Sequence, residues 1–314
     1  MSKKILFCVL NWGLGHATRS IPVIEKLIDE GHQLHIASDG EAFDILKKAF
    51  PQLTAYELPA YNIKYAKHGV FWWALLLQIP KMTLVMIREK NALKPWQQKE
   101  GFDWIISDNR LGCRHAKAHN IFISHQLTIK GGLIGYAATC IHRQIIKKHQ
   151  ALWIPDDENL RLSGALSSWK KNPLPTKWLG RLSRVPDPIP GLSKKYDAMI
   201  LLSGPEPQRS ILEKWLLDKL CKEFENIVCI RGRHAAPIKT TDQVRLIPFA
   251  QPEEIAQLLS ESKRLYCRSG YSTIMDIHPY DIDVTLIPTP GQSEQEYLAE
   301  YHKDRSEYSV IHQP

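Results

Sequence analysis

The run Lys4–Leu10 (KILFCVL) is apolar almost without interruption, and its sequel restricts the fold more than any other stretch. A strand with apolar residues on both faces belongs in a sheet covered on both sides, which is a parallel sheet. A turn carrying Gly13 and Gly15 follows, then Ser20–Glu30 with apolar residues at helical spacing. Gly31 stops that helix, and Gln33–Ser38 (QLHIAS) reads as the next strand. Strand, helix and strand at this spacing make a right-handed βαβ unit. Asp103–Ser107 and Ile121–Ser124 add further strands.

The same grammar resumes later. Strands are predicted at Asp197–Ser203, Ile227–Arg231, Val244–Pro248, Arg264–Cys267 and Val284–Ile287. Helices are predicted at Gln208–Phe224, Glu253–Glu261, Ser272–Ile277 and Glu294–His302. Between the two series, Ser163–Pro190 holds Pro173, Pro175, Pro186, Pro188 and Pro190 with little periodicity. The reading is α/β: two Rossmann-like, doubly wound domains with a cleft between them. Residues 1–162 form the first domain, 163–190 a proline-rich linker and 191–314 the second.

A chain of 314 residues has the length for two such cores. The net charge of +8 favours anionic partners. Nucleic acid is not expected, because no basic stripe interleaved with stacking aromatics appears. The six cysteines include no C-x-x-C pair, which argues against a zinc ribbon or redox motif and for a reducing, cytoplasmic setting. The apolar part of the N-terminus, Ile5–Leu10, is too short for a signal peptide core, and the longest apolar run, Val70–Leu77, is far short of a membrane span. Val70–Leu77 includes Trp72 and Trp73 and precedes Lys81, Arg88, Lys90 and Lys94. It suits either a buried helix or a peripheral wedge on an anionic membrane face.

The chemistry-bearing residues fall at strand ends. Gly13, Gly15 and His16 follow the first strand, where a backbone can approach a ligand and an imidazole can act as a base. Asp108 ends another strand and is positioned to orient His16 or to cap a turn. Ser203-Gly204-Pro205-Glu206-Pro207-Gln208-Arg209 joins strand to helix with backbone access at Gly204 and a charge at Arg209. Cys267-Arg268-Ser269-Gly270-Tyr271-Ser272-Thr273 places Ser269, Gly270, Ser272 and Thr273 in a small, polar turn suited to phosphate oxygens, with Asp276 on the helix suited to ribose hydroxyls. Gln295 and Glu296 follow the next strand and suit sugar hydroxyls.

The series Cys267-Arg268-Ser269-Gly270, Asp276, Gln295-Glu296 resembles the donor signature of glycosyltransferase family 28, which includes the UDP-N-acetylglucosamine transferase of peptidoglycan synthesis. Gly13-Leu14-Gly15-His16 is similar to that family's N-terminal glycine loop, and Ser124-His125-Gln126 to a His-Glu-Gln element of its acceptor domain. Asp276 stands where the family has glutamate. The resemblance implies a GT-B fold and an inverting, metal-independent transfer with no cofactor from a nucleotide-diphosphate sugar, a UDP-sugar foremost. The acceptor is open, a lipid-linked one among the candidates. It implies that Asp276 binds ribose, Ser269 and Gly270 face the diphosphate, the Phe249 backbone meets the base, Gln295 and Glu296 hold the sugar, and His16 lies near the acceptor. A nucleotide-sugar epimerase of the same fold and a non-catalytic binder of nucleotide sugars are the alternatives.

Overall fold

A computed structural model describes residues 1–12, 14–62, 78–159, 161–233 and 239–313. The chain divides into two units, Met1–Leu182 and Ser183–Pro314. The boundary falls inside the proline-rich stretch. Its first part belongs to the first unit, to whose sheet Thr176–Trp178 adds an edge strand.

In the first unit β1 (Lys4–Val9), α1 (Leu14–Asp29), β2 (Gln33–Ser38), α2 (Gly40–Ala49) and β3 (Thr54–Glu57) are followed by α3 (Ile79–Glu100) and β4 (Trp104–Asp108). Then come β5 (His119–Ile123), α4 (Gly132–Ile146), β6 (Ala151–Ile154) and β7 (Thr176–Trp178). All these strands are parallel, in the order β3-β2-β1-β4-β5-β6-β7. Ile5 through Val9 are fully buried, as the apolar run requires. The chain leaves β1 toward β2 and returns on the other side at β4. The crevice beyond the carboxyl ends of β1 and β4 is therefore the topological switch point, where ligands bind in open α/β sheets.

The second unit repeats the plan with β8 (Ala198–Leu201), α5 (Gln208–Leu220), β9 (Ile227–Ile230), β10 (Lys239–Thr240), β11 (Val244–Ile247) and α6 (Pro252–Ser260). It continues through β12 (Arg264–Cys267), α7 (Tyr271–Ile277), β13 (Asp283–Leu286), α8 (Ser293–His302) and β14 (Tyr308–Val310). The order is β10-β11-β9-β8-β12-β13-β14, parallel except for β10 on β11. Its switch point lies between β8 and β12.

Two features differ from the sequence reading. First, α1 begins at Leu14 rather than Ser20 and carries Pro22 inside it. Ser20 followed by Pro22 imitates a helix start, a capping hydroxyl with proline in the first turn. In the fold the Ser20 hydroxyl bonds Asp108 instead of capping. Second, the strands β3, β6, β7, β10 and β14 and the helices α2, α3 and α4 were not read from the sequence; β3, β7 and β14 are strands of three or four residues with few buried positions and no apolar run. The Val70–Leu77 wedge lies outside the described residues. No described helix is long and apolar enough to cross a membrane.

Candidate functional site

Because α1 starts early, His16 and Arg19 sit three residues apart in its first turns and share a face. Both turn toward Asp108, which the pairing of β4 with β1 places opposite Val9. His16 Nδ1 lies 3.1 Å from Asp108 Oδ1, and the carboxylate also accepts from Arg19 Nε at 3.1 Å and Ser20 Oγ at 3.2 Å. Arg19 Nη2 completes a two-pronged contact with the same carboxylate. The guanidinium reaches further, from Nη1 to His125 Nδ1 at 2.9 Å and from Nη2 to His16 Nδ1 at 2.7 Å. Arginine has no acceptor, so each of these two histidines takes a hydrogen bond from Arg19 only in the tautomer that leaves its Nδ1 unprotonated. The sequence-chosen His16, Asp108 and His125 thus meet around Arg19, which the sequence reading missed. The signal was available in the i, i+3 spacing once the helix start is placed at Leu14.

Asp108 and Arg19 are almost wholly buried, whereas 14% of the His16 side chain is exposed, enough for one ring edge to meet a ligand. Burial, and then the Arg19 charge, lowers the His16 pKa below its ordinary 6.5. His16 is therefore neutral at working pH. Burial alone would raise the Asp108 carboxyl, but Arg19 and His16 outweigh it and hold the group well below the usual carboxylate range.

A second buried network lies alongside. Arg110 is fully buried and donates from Nε to Glu89 at 2.6 Å and from Nη2 to Pro59 O at 2.7 Å, with Asp39 on Nη1. Tyr61 and the Gly112 N–H, both at 2.8 Å, close the Glu89 carboxylate. All three guanidinium nitrogens of Arg110 donate to the scaffold, so this network stiffens the strand ends beneath the crevice. Gly15 accepts from the Thr18 hydroxyl at 3.2 Å, and Gly13 lies outside the described residues.

The donor-side candidates gather at the carboxyl edge of the second sheet. Gly204 follows β8 with φ +94, a left-handed conformation that glycine adopts without strain. Arg209 in the first turn of α5 bonds Glu206 Oε1 at 3.1 and 2.9 Å and the Gly232 carbonyl. Arg233 grips the same carboxylate. Burial would raise Glu206, but Arg233, Ser210 and Arg209 pull its pKa down to about 2. Two arginines thus share one carboxylate, which leaves a net positive charge beside the Gly204 turn.

After β12, Ser269 is fully buried and its hydroxyl donates to Gln295 O at 2.7 Å. The side chain therefore faces the scaffold, and Ser269 can meet a ligand only through its backbone. Gly270, Ser272 and Thr273 line the turn into α7. Asp276 is half-buried and accepts from the Ser183 hydroxyl, a partner the sequence did not indicate. Gln295 is buried and accepts from Thr289 N at 2.9 Å, with its Nε2 directed at Gly270. Glu296 is exposed and holds the Gly291 N–H at 2.9 Å. Phe249 follows β11, half-buried. Arg268 is also buried, its guanidinium holding the carbonyls of Ile287 (3.3 Å), Pro288 (3.2 Å) and Gln208 (3.0 Å) and the Gln313 amide oxygen (2.7 Å). It ties together the ends of β12, β13 and α5, and burial lowers its pKa to about 10.

Residues 3–125, which contain His16, Arg19, Asp108 and His125, match a family model described as Glycosyl transferase family 1. An uncharacterized glycosyltransferase of Methanosarcina acetivorans is 22% identical over 93% of this chain and 81% of its own length. Among solved structures, MurG of Acinetobacter baumannii superimposes with a TM-score of 0.62 at 14% identity, covering 100% of this chain and 86% of that one. The spinosyn rhamnosyltransferase SpnG, crystallised with thymidine diphosphate, gives a TM-score of 0.67 at 11% identity, covering 98% and 86%. The architecture is the GT-B fold, and with the family match and the relative aligned over 93% of the chain it makes the chain a glycosyltransferase of GT-B type.

Proposed function

We propose that the chain transfers a sugar, with inversion and without a metal, from a nucleotide-diphosphate donor to an acceptor hydroxyl. A UDP-sugar such as UDP-GlcNAc is the first candidate donor, and a lipid-linked molecule is among the candidate acceptors. The observation that carries this reading is the buried Asp108–Arg19 pair holding a neutral, partly exposed His16 at the switch point. In the transfer, the acceptor oxygen forms a bond to the anomeric carbon while the bond from that carbon to the donor phosphate breaks. The nucleotide diphosphate departs with the electron pair, and the acceptor proton passes to His16 Nε2. This requires Nδ1–H to donate to Asp108, the arrangement that stabilises the imidazolium once formed.

Arg19 sets up the competing role. If its Nη2 donates to His16 Nδ1, Nε2 carries the hydrogen and His16 is a hydrogen-bond donor to an anion. The donor roles of Phe249, Gly270, Asp276, Gln295 and Glu296 are carried from the resemblance, and those of Gly204, Arg209, Ser272 and Thr273 rest on their own chemistry at strand-to-helix turns. Their common position at one sheet edge supports it, as does the diphosphate in the SpnG crystal.

The test begins with thermal-shift measurements against UDP-, TDP- and GDP-sugars to fix the donor, then compares turnover of His16 variants. A base predicts that His16→Ala lowers kcat by roughly 10²–10⁴ with donor affinity unchanged, and that His16→Gln is equally impaired. Substantial turnover in His16→Gln would assign the donor role instead. Near-normal turnover in both variants would exclude His16 as the base, and epimerisation of donor alone would favour the epimerase reading.

A further inference from the structure

The Gly204 turn already cradles an anion, and the anion is the chain's own. Strands β8 and β9 are neighbours in the second sheet, so the loops that leave their carboxyl ends run side by side. The first loop supplies Glu206 and, in the opening turn of α5, Arg209 and Ser210. The second supplies Arg233. Gly232 permits that close approach: its φ is +64, and a Cβ there would lie 3.0 Å from Leu202 O and 3.6 Å from Arg209 Nη1.

Two guanidinium forks and a helix N–H converge on the Glu206 carboxylate. Arg209 donates to Oε1 from Nε at 3.1 Å and from Nη2 at 2.9 Å. Arg233 donates to the same oxygen from Nε at 2.9 Å and from Nη2, and the Ser210 N–H donates to Oε2 at 3.2 Å. Both arginines are also fixed from behind. Arg209 Nη1 is committed to the Gly232 carbonyl, the Arg233 backbone N–H donates to Pro248 O at 2.7 Å, and Arg233 Nη2 holds the Ser210 hydroxyl. These anchors keep the cradle in shape without help from Glu206.

The carboxylate is placed to leave. The side chain of Glu206 is 39% exposed, and exposed ion pairs contribute little net stability. Pro205 and Pro207 restrict the backbone on either side, while rotation about the side-chain torsions carries the carboxylate into solvent. The ion pairs Arg19–Asp108 and Arg110–Glu89 differ in this respect. They are almost wholly buried, and parting them would strand a desolvated charge. Forked guanidinium groups beside a helix N-terminus match phosphate oxygens. A single carboxylate carries half the charge of the two arginines, whereas a diphosphate matches both and offers each fork its own oxygens.

We infer that Glu206 is a displaceable stand-in for the donor diphosphate, and that Arg233 joins Arg209 in binding that diphosphate. The inference rests on the reading of the second unit as the donor side. The carboxylate swings out as a diphosphate enters and returns as the nucleotide diphosphate leaves. It weakens the hold on donor and product alike, which favours product release.

The test is calorimetric titration of the full chain with inorganic pyrophosphate, then with UDP and with uridine. Pyrophosphate carries neither base nor sugar, so its binding depends on neither the donor's identity nor turnover. Glu206→Gln removes the competing charge and should bind pyrophosphate and UDP about fivefold more tightly than the wild type, the factor that one exposed ion pair contributes. Glu206→Ala should move in the same direction. Arg233→Gln should weaken both ligands by about tenfold or more, the loss expected for a charge-assisted hydrogen bond. Uridine affinity should stay the same in all three variants. Equal or weaker pyrophosphate affinity in both Glu206 variants overturns the proposal, because the carboxylate would then be a brace that holds the arginines in place. So does unchanged affinity in Arg233→Gln, or failure of the wild type and Glu206→Gln alike to bind pyrophosphate. The expected affinities without turnover on any donor would uphold this site and refute the transfer.

Discussion

Replacing Arg19 with methionine keeps most of the side-chain volume and removes the charge. Asp108 would then remain buried with only the Ser20 hydroxyl and His16 as side-chain partners. Removing one partner of a buried ion pair costs about 3–5 kcal/mol, because the remaining charge stays desolvated. The histidine makes the loss depend on pH. In the wild type His16 has a pKa below 6.5, so as pH falls through that value the unfolded state takes up the proton first and His16 subtracts stability. Without Arg19, an imidazolium would face Asp108 with no competing cation, and the His16 pKa should rise. A raised folded pKa adds stability that is present at acid pH and lost as pH rises through it. Urea unfolding of Arg19→Met at about pH 8 should therefore show the full deficit, and at about pH 5.5 a smaller one, by roughly 1.4 kcal/mol for each unit that the His16 pKa rises above that pH. Titration of the His16 ring by NMR measures that movement directly. Arg19→Lys, which keeps the charge and loses the fork, should unfold between the two and leave the His16 pKa depressed. It also carries the test if the methionine variant does not fold. A deficit under about 1 kcal/mol at both pH values, or a His16 pKa that stays or falls in Arg19→Met, refutes the reasoning.

Other positions give independent checks. Asp276→Ala should weaken UDP binding by about 1.5–3 kcal/mol by calorimetry, the range for hydrogen bonds to charged groups, while Ser183→Ala, which only frees the carboxylate, should cost less; unchanged affinity in Asp276→Ala removes it from the site. Gly204→Ala should lower stability by about 1–2 kcal/mol in denaturant unfolding, since φ +94 is strained for any residue with a Cβ. Burial lowers the His149 pKa to about 4, so its contribution falls as pH drops from 6.5 toward 4, when only the unfolded state protonates; His149→Gln should show a shallower loss of stability over that window.

The double α/β plan was legible because it rests on local signals: apolar runs such as Ile5–Val9 that can only be buried strands, and glycines where the chain must turn. The second set of strands and helices, from Asp197 onward, followed from the same signals. The candidate positions were legible for a related reason, since a parallel sheet brings every strand end to one edge and His16, Asp108, Gly204 and Gly270 all follow or end strands. The partners of those residues were decided in three dimensions. Ser20 and Pro22 gave a false helix start, which hid Arg19 from His16. Ser183 is 93 positions from Asp276, a separation no local pattern spans. The Ser269 hydroxyl reads as a phosphate ligand in the motif, yet the fold commits it to the Gln295 carbonyl. The helix α4 was not read from the sequence, and its apolar residues do not reveal which face is inside. The close packing of Gly135 on the Ile129–Lys130 backbone turns Leu133, Tyr136 and Ile141 outward, because only the smallest residue can meet that backbone.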